Sequence, residues 1–78
     1  MASVTVRYFA AAARAAGLDS EQLEATTIED LRGTLAARAQ LTSVCRASSF
    51  LIDGQAAAED ARLHDGATVD VLPPFAGG

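Results

Sequence analysis

SVTVRYFAAAARAAG, Ser3 to Gly17, holds two periodicities back to back. From Ser3 to Phe9 the residues alternate. Val4, Val6 and Tyr8 share one face, and Thr5, Arg7 and Phe9 share the other. β-Branched and aromatic residues at period two predict a strand. Ala10 to Ala16 is alanine-rich around Arg14 and stops at Gly17, where a helix C′ residue belongs. A helix of one or two turns and a plain loop both fit this run, because so short a helix is marginal in water by itself.

Working outward, Ser20 to Ala25 reads as a second, weaker strand with Leu23 and Ala25 inward. The connection is short, so an antiparallel return is natural. Thr27 and Asp30 form a capping-box-like pair, with an acid shorter than the usual Glu or Gln. Behind it Ile28, Leu31, Leu35 and Ala39 fall on one helical face, while Glu29 and Arg32 point to water. Arg38 stands where a helix dipole favours a cation. Gly33 costs this helix about 1 kcal/mol against alanine, which predicts a close backbone contact there.

Leu41 to Ala47 is ambiguous. Ser49 to Ile52 runs into Asp53-Gly54 and out through Gln55 to Ala57, a hairpin signal. Leu63 to Gly66 reads as another turn. Ala67 to Leu72 is the last strand, with Val69 and Val71 on one face and Thr68, Asp70 and Leu72 on the other. Pro73 cannot donate a ladder hydrogen bond, so the sheet ends before it. Strands around one main amphipathic helix predict an α+β layout. Residues 1–72 form the domain and 73–78 an extended tail.

The 78 residues allow one domain with a thin, mostly aliphatic core: 50% are hydrophobic and only 5% aromatic. Net charge is −4, and the six basic residues, all arginine, are scattered from Arg7 to Arg62. Phosphate-backbone binding needs clustered cations, so no nucleic-acid partner is expected. Cys45 is the single cysteine, which suits a reducing compartment. No apolar run approaches the ~18 residues of a membrane span, and no leader pattern opens the chain. A cytoplasmic protein without a membrane partner is the expectation.

Few side chains offer chemistry. His64 and Cys45 are single and lack neighbours at ligand spacing, so no metal site is expected. Glu59-Asp60 and Asp65 fit turn and solvation roles. Cys45 and His64 could meet in space, but no oxyanion-type glycine motif surrounds Cys45, and a free cysteine usually packs as a small hydrophobe. No phosphate-cradling P-loop motif occurs.

The tail LPPFAGG, Leu72 to Gly78, is different. Pro73 and Pro74 hold it extended, away from the sheet edge. Six steps at ~3.3 Å reach ~20 Å from the last strand. Ala76, Gly77 and Gly78 offer almost no side-chain volume, so such a tip suits a narrow channel. Its one functional group is an α-carboxylate, ionised at pH 7. A carboxylate is a poor electrophile until a partner activates it, for example as an acyl adenylate. A frayed terminus is the alternative.

Four stretches carry a resemblance: Val4 to Gly17, Thr-Ile-Glu-Asp-Leu from Thr27, the Leu63-His-Asp-Gly66 turn, and the PP-x-A-GG pattern from Pro73 to Gly78. Together they resemble the small subunit of molybdopterin synthase, the MoaD branch of the MoaD/ThiS sulfur carriers. The resemblance implies a ubiquitin-like β-grasp fold, a mixed sheet packed on one main helix. It also implies that an E1-like adenylating enzyme uses Mg-ATP on the Gly78 carboxylate and that a sulfur donor converts it to a thiocarboxylate. The chain itself would bind no cofactor and would be non-catalytic alone.

By the same resemblance, the tail enters a MoaE-type large subunit and delivers sulfur to a pyranopterin precursor in molybdenum-cofactor biosynthesis. Gly78 bears the sulfur, Gly77 and Ala76 keep the tip slender, and Pro73, Pro74 and Phe75 dock beside the channel. The family more often has a smaller aliphatic residue at Phe75 and an asparagine near Asp53. The sheet face opposite the helix is the natural docking surface for such a hetero-oligomer. Phe9 and Leu72 are its candidates, or else they complete the core. Competing readings are a carrier for thiamine, cysteine or tRNA thiolation, a ubiquitin-like protein modifier, and a β-grasp module with an inert tail. The lack of lysine excludes lysine-linked polymers of the chain itself.

Overall fold

Alternation in the first and last strands buries one side of each, and these two strands become the centre of the sheet. The computed structural model describes residues 1–74. β1 (Ala2–Tyr8) pairs antiparallel with β2 (Ser20–Ala25) and parallel with β5 (Thr68–Leu72). β5 pairs antiparallel with β3 (Ser49–Ile52), which pairs with the two-residue β4 (Gln55–Ala56). The order is β2-β1-β5-β3-β4. Three helices lie between: α1 (Ala11–Ala16), α2 (Ile28–Ala36) and α3 (Thr42–Ala47). This mixed sheet on one main helix is the expected ubiquitin-like β-grasp.

The inward face of the sheet carries Val4, Val6, Tyr8, Phe50, Val69 and Val71, all buried. Ile28, Leu31 and Leu35 of α2 complete the core at 0% exposure. Each side chain of this size contributes roughly 1.5–3 kcal/mol by leaving water. Ala25 is buried and Leu23 partly so, as the strand pattern predicts.

Local chemistry explains the boundaries. At the C-cap of α1, Gly17 has φ 77° and its N–H donates to the Ala13 carbonyl at 2.9 Å. That left-handed cap settles the Ala10–Ala16 run as a helix. At its other end Phe9 to Ala12 forms a type II′ turn: Ala10 has φ 50° and ψ −123°, and Ala12 N–H donates to Phe9 C=O at 2.9 Å. Asp53 (φ 50°) and Gly54 (φ 85°) make the type I′ hairpin turn that the Asp-Gly pair predicts.

Thr27 Oγ1 accepts from Asp30 N–H at 3.1 Å. The reciprocal bond goes to Thr26 N–H, at 2.9 Å, so the short carboxylate satisfies the donor one residue earlier than a capping-box glutamate would. Two further N–H groups of this first turn, Ile28 and Glu29, donate to the carbonyls of Ala61 and Glu59.

Three expectations fail around α2. The helix ends at Ala36, so Ala39 is exposed and Leu41 fills the core position instead. A Cβ built on Gly33 would meet nothing within 4 Å, so no close backbone contact explains that glycine. Arg32 does not simply face water. Its Nη1 donates to the Cys45 and Ser48 carbonyls, it pairs with Glu59, and it lies 4.4 Å from the Phe50 ring centroid. The ambiguous Leu41–Ala47 segment contains α3, and Arg32 satisfies carbonyls at its C-terminal end.

Candidate functional site

The side of the sheet away from α2 is open. Register places Arg7, Asp70 and Leu51 in one row across β1, β5 and β3, with Thr5 beside Thr68 and Ser49 beside Leu72 in the flanking rows. Leu72 is half-buried and ends the last strand. Phe9 lies one step past the Tyr8–Val71 pair, at the same end of the sheet, and is 36% exposed. It therefore does not complete the core. The two candidate docking residues thus stand on the open side at the end from which the tail departs.

The tail begins as the strand pattern predicts, with regular pairing ending at Leu72. Pro73, however, is buried, and only Pro74 is exposed. The first proline is therefore packed down instead of standing clear of the sheet, because a proline ring is itself an apolar surface. Phe75, Ala76, Gly77 and Gly78 lie outside the described residues.

One ion pair occupies the middle of the open face. Arg7 Nε and Nη2 donate to Asp70 Oδ1 and Oδ2 at 2.7 and 3.0 Å. Asp70 is only 6% exposed, and this two-pronged contact is what allows a carboxylate to be buried there. The Arg7 side chain is itself 52% exposed and lies 5.4 Å from the Phe9 ring centroid. The sequence pattern groups Arg7 with Thr5 and Phe9, and Asp70 with Thr68 and Leu72, but sets neither face outward and does not bring the two residues together. Their parallel pairing joins residues 63 positions apart, and only strand order reveals it.

Cys45 and His64 are both engaged by the scaffold. Burial is the main cause raising the Cys45 thiol pKa, opposed by Arg32 and Arg38. A raised pKa keeps the thiol protonated and a weak nucleophile. Both His64 ring nitrogens are engaged, Nε2 with Asp53 Oδ2 at 2.9 Å and Nδ1 with the Asp65 carbonyl at 3.0 Å. Among the described residues no group of three His, Cys, Asp or Glu side chains is arranged to hold a metal ion. No helix among them is long and apolar enough to cross a membrane.

Comparison with known proteins follows the same lines. The ThiS family model matches residues 6–78. No curated protein matches. Among solved structures, the chain is similar to small archaeal modifier protein 1 from Methanosarcina acetivorans (25% identity, TM-score 0.85, covering 100% of this chain and 98% of that one). It is also similar to a molybdopterin converting factor subunit 1 from Pyrococcus furiosus (24%, 0.79, 96% and 100%). A third likeness is to the complex of subunits 1 and 2 of the molybdopterin-converting factor from Helicobacter pylori (22%, 0.76, 97% and 99%). Strand order, the tail that follows β5 and the family match through residue 78 agree: the chain belongs to the ThiS family of ubiquitin-like sulfur carriers.

Proposed function

We propose that this chain carries sulfur as a thiocarboxylate on Gly78 and donates it to the pyranopterin precursor of molybdopterin, as the small subunit of a molybdopterin synthase. The family match, which runs through the Pro73-to-Gly78 pattern, carries the sulfur-carrier reading; the molybdopterin pathway rests on the resemblance of Tyr8 to Gly17 to the MoaD branch. In this chemistry a Gly78 carboxylate oxygen attacks the α-phosphorus of ATP on an E1-like adenylating enzyme, and pyrophosphate leaves. A sulfur nucleophile then attacks the acyl carbon, and AMP leaves. Magnesium and ATP belong to that enzyme; this chain contributes the acyl group and the handle.

The tail then enters a MoaE-type large subunit. Pro73, Pro74 and Phe75 line its approach, and Ala76 and Gly77 leave the channel unobstructed. Phe9 and Leu72 meet the partner on the open face. This reading goes with a cytoplasmic setting, where the thiocarboxylate is formed and spent.

Intact mass tests the carrier chemistry. Incubation with the adenylating enzyme, Mg-ATP and a sulfide source should raise the mass by the difference between sulfur and oxygen, on Gly78. No shift, or a shift on Cys45, sinks it. Transfer to the pyranopterin precursor in the presence of the large subunit then tests the pathway.

The similarity to small archaeal modifier protein 1 favours a second reading, a protein modifier. It predicts instead an isopeptide bond from Gly78 to lysines of other proteins.

A further inference from the structure

Sulfur transfer at the tail does not require an ion pair in the middle of the open face. Asp70 spends both carboxylate oxygens on Arg7, and its side chain is 9% exposed beneath the guanidinium. A partner cation therefore cannot reach it. Arg7 has donors to spare, because a guanidinium carries five N–H groups. No described residue accepts from its Nη1. Phe9 lies against it, and register sets Ser20 of β2 beside it and Leu51 across Asp70.

We infer that Arg7 makes this face selective for a partner protein that sets an aspartate or glutamate carboxylate opposite the guanidinium. The inference rests on the reading of the open face as the docking surface of a sulfur carrier. Covering the face strips water from the spare donors, and a charged donor left unpaired in an interface is costly. A carboxylate is the acceptor that best repays that cost. Asp70 holds the guanidinium in place beforehand, so little freedom is lost on docking.

A second copy of the chain is a poorer occupant. A two-fold contact centred on Arg7 would bring cation towards cation, with Asp70 already consumed and Glu24 four residues along β2 from the neighbour of Arg7. One arginine in the middle of this face, on a chain of net charge −4, does not suit a phosphate backbone either. A partner offering an apolar or basic group at this point is rejected, which supplies discrimination against proteins that do not present the carboxylate.

Dissociation constants of the full chain for the adenylating enzyme and for the synthase large subunit of the same organism test this. Arg7→Gln should weaken at least one complex about tenfold and flatten its salt dependence, and Arg7→Glu should weaken it further. Because the sequence has no lysine, Arg7→Lys adds the only side-chain amine. A water-soluble carbodiimide should join that amine to an acidic residue of the partner, read by peptide mass. Combining it with Asp70→Asn removes the internal competitor.

Affinities within twofold of wild type in chains that melt normally, or cross-links confined to this chain or to a second copy, overturn the inference and leave the carrier function standing. A wild-type chain that is neither bound nor adenylated overturns both.

Discussion

Arg38 stands beyond the last turn of α2 and grips Glu21 of β2, with Nη1 2.6 Å from Oε2 and Nη2 2.9 Å from Oε1. The sequence suggests a dipole role at the helix end; the fold gives this arginine a tertiary partner instead. The Tyr8 hydroxyl donates to the same Glu21 carboxylate. One carboxylate therefore ties the edge strand to the central strand and to the loop after α2. It also places a charge on the inward side of an edge strand, which disfavours edge-to-edge association.

Glu21 is held below the usual carboxylate range, chiefly by the hydrogen bonds from Arg38. A depressed folded-state value means its stabilisation is complete above about pH 4.5 and is lost as pH falls through the folded value. Denaturant melts of wild type and Glu21→Gln should differ most near neutrality and converge in acid. Arg38→Ala should cost about 1–2 kcal/mol at pH 7. A gap between Glu21→Gln and wild type that widens in acid would contradict this network.

His64 and Asp53 form a second pH-dependent contact, between two turns. Asp53 raises His64 first through their hydrogen bond, with the Asp65 carbonyl adding to it. A raised folded value means the imidazolium's contribution is present in full below about pH 6.5 and is lost as pH rises through the folded value. Asp53 itself is lowered, first by the Thr68 N–H and then by His64. Its contribution is present above about pH 3.8 and fades in acid. NMR titration should show the His64 pKa falling in Asp53→Asn, a substitution that the left-handed turn position tolerates. An unchanged titration would mean the contact is not formed in solution.

Ala10 occupies a backbone position that glycine normally takes, φ 50° and ψ −123°. Such strain costs of order 1–3 kcal/mol. Ala10→Gly should therefore raise stability by about 1 kcal/mol, after the added freedom of the unfolded glycine is subtracted. Thermal melts check this; a lower melting temperature would show the turn relaxed in solution.

Deleting Gly78, or appending one residue after it, should abolish thiocarboxylate formation while leaving the melting temperature unchanged. The reacting group is proposed to be the carboxylate of that residue and no side chain. Mass spectrometry and calorimetry on the same samples separate the two effects. Retained sulfur loading by either variant would exclude the mechanism.

Residue pattern by itself determined the central strands, the start and core face of the main helix, the Asp53-Gly54 and Leu63–Gly66 turns and the end of the sheet at Leu72, since each rests on local rules of spacing, capping and backbone conformation. The family was legible for the same reason, from contiguous motifs. Tertiary structure decided what depends on neighbours distant in sequence. The loop after α2 turns so that Leu41, and not Ala39, enters the core. Arg32 folds back onto the carbonyls ending α3, and Arg38 onto Glu21. Above all, β1 and β5 run side by side in parallel. That pairing brings Arg7 against Asp70 and turns two polar residues, unremarkable in their own strands, into a buried carboxylate and a fixed cation on the open face. Nothing local to either strand encodes that contact, because its partner is chosen by strand order.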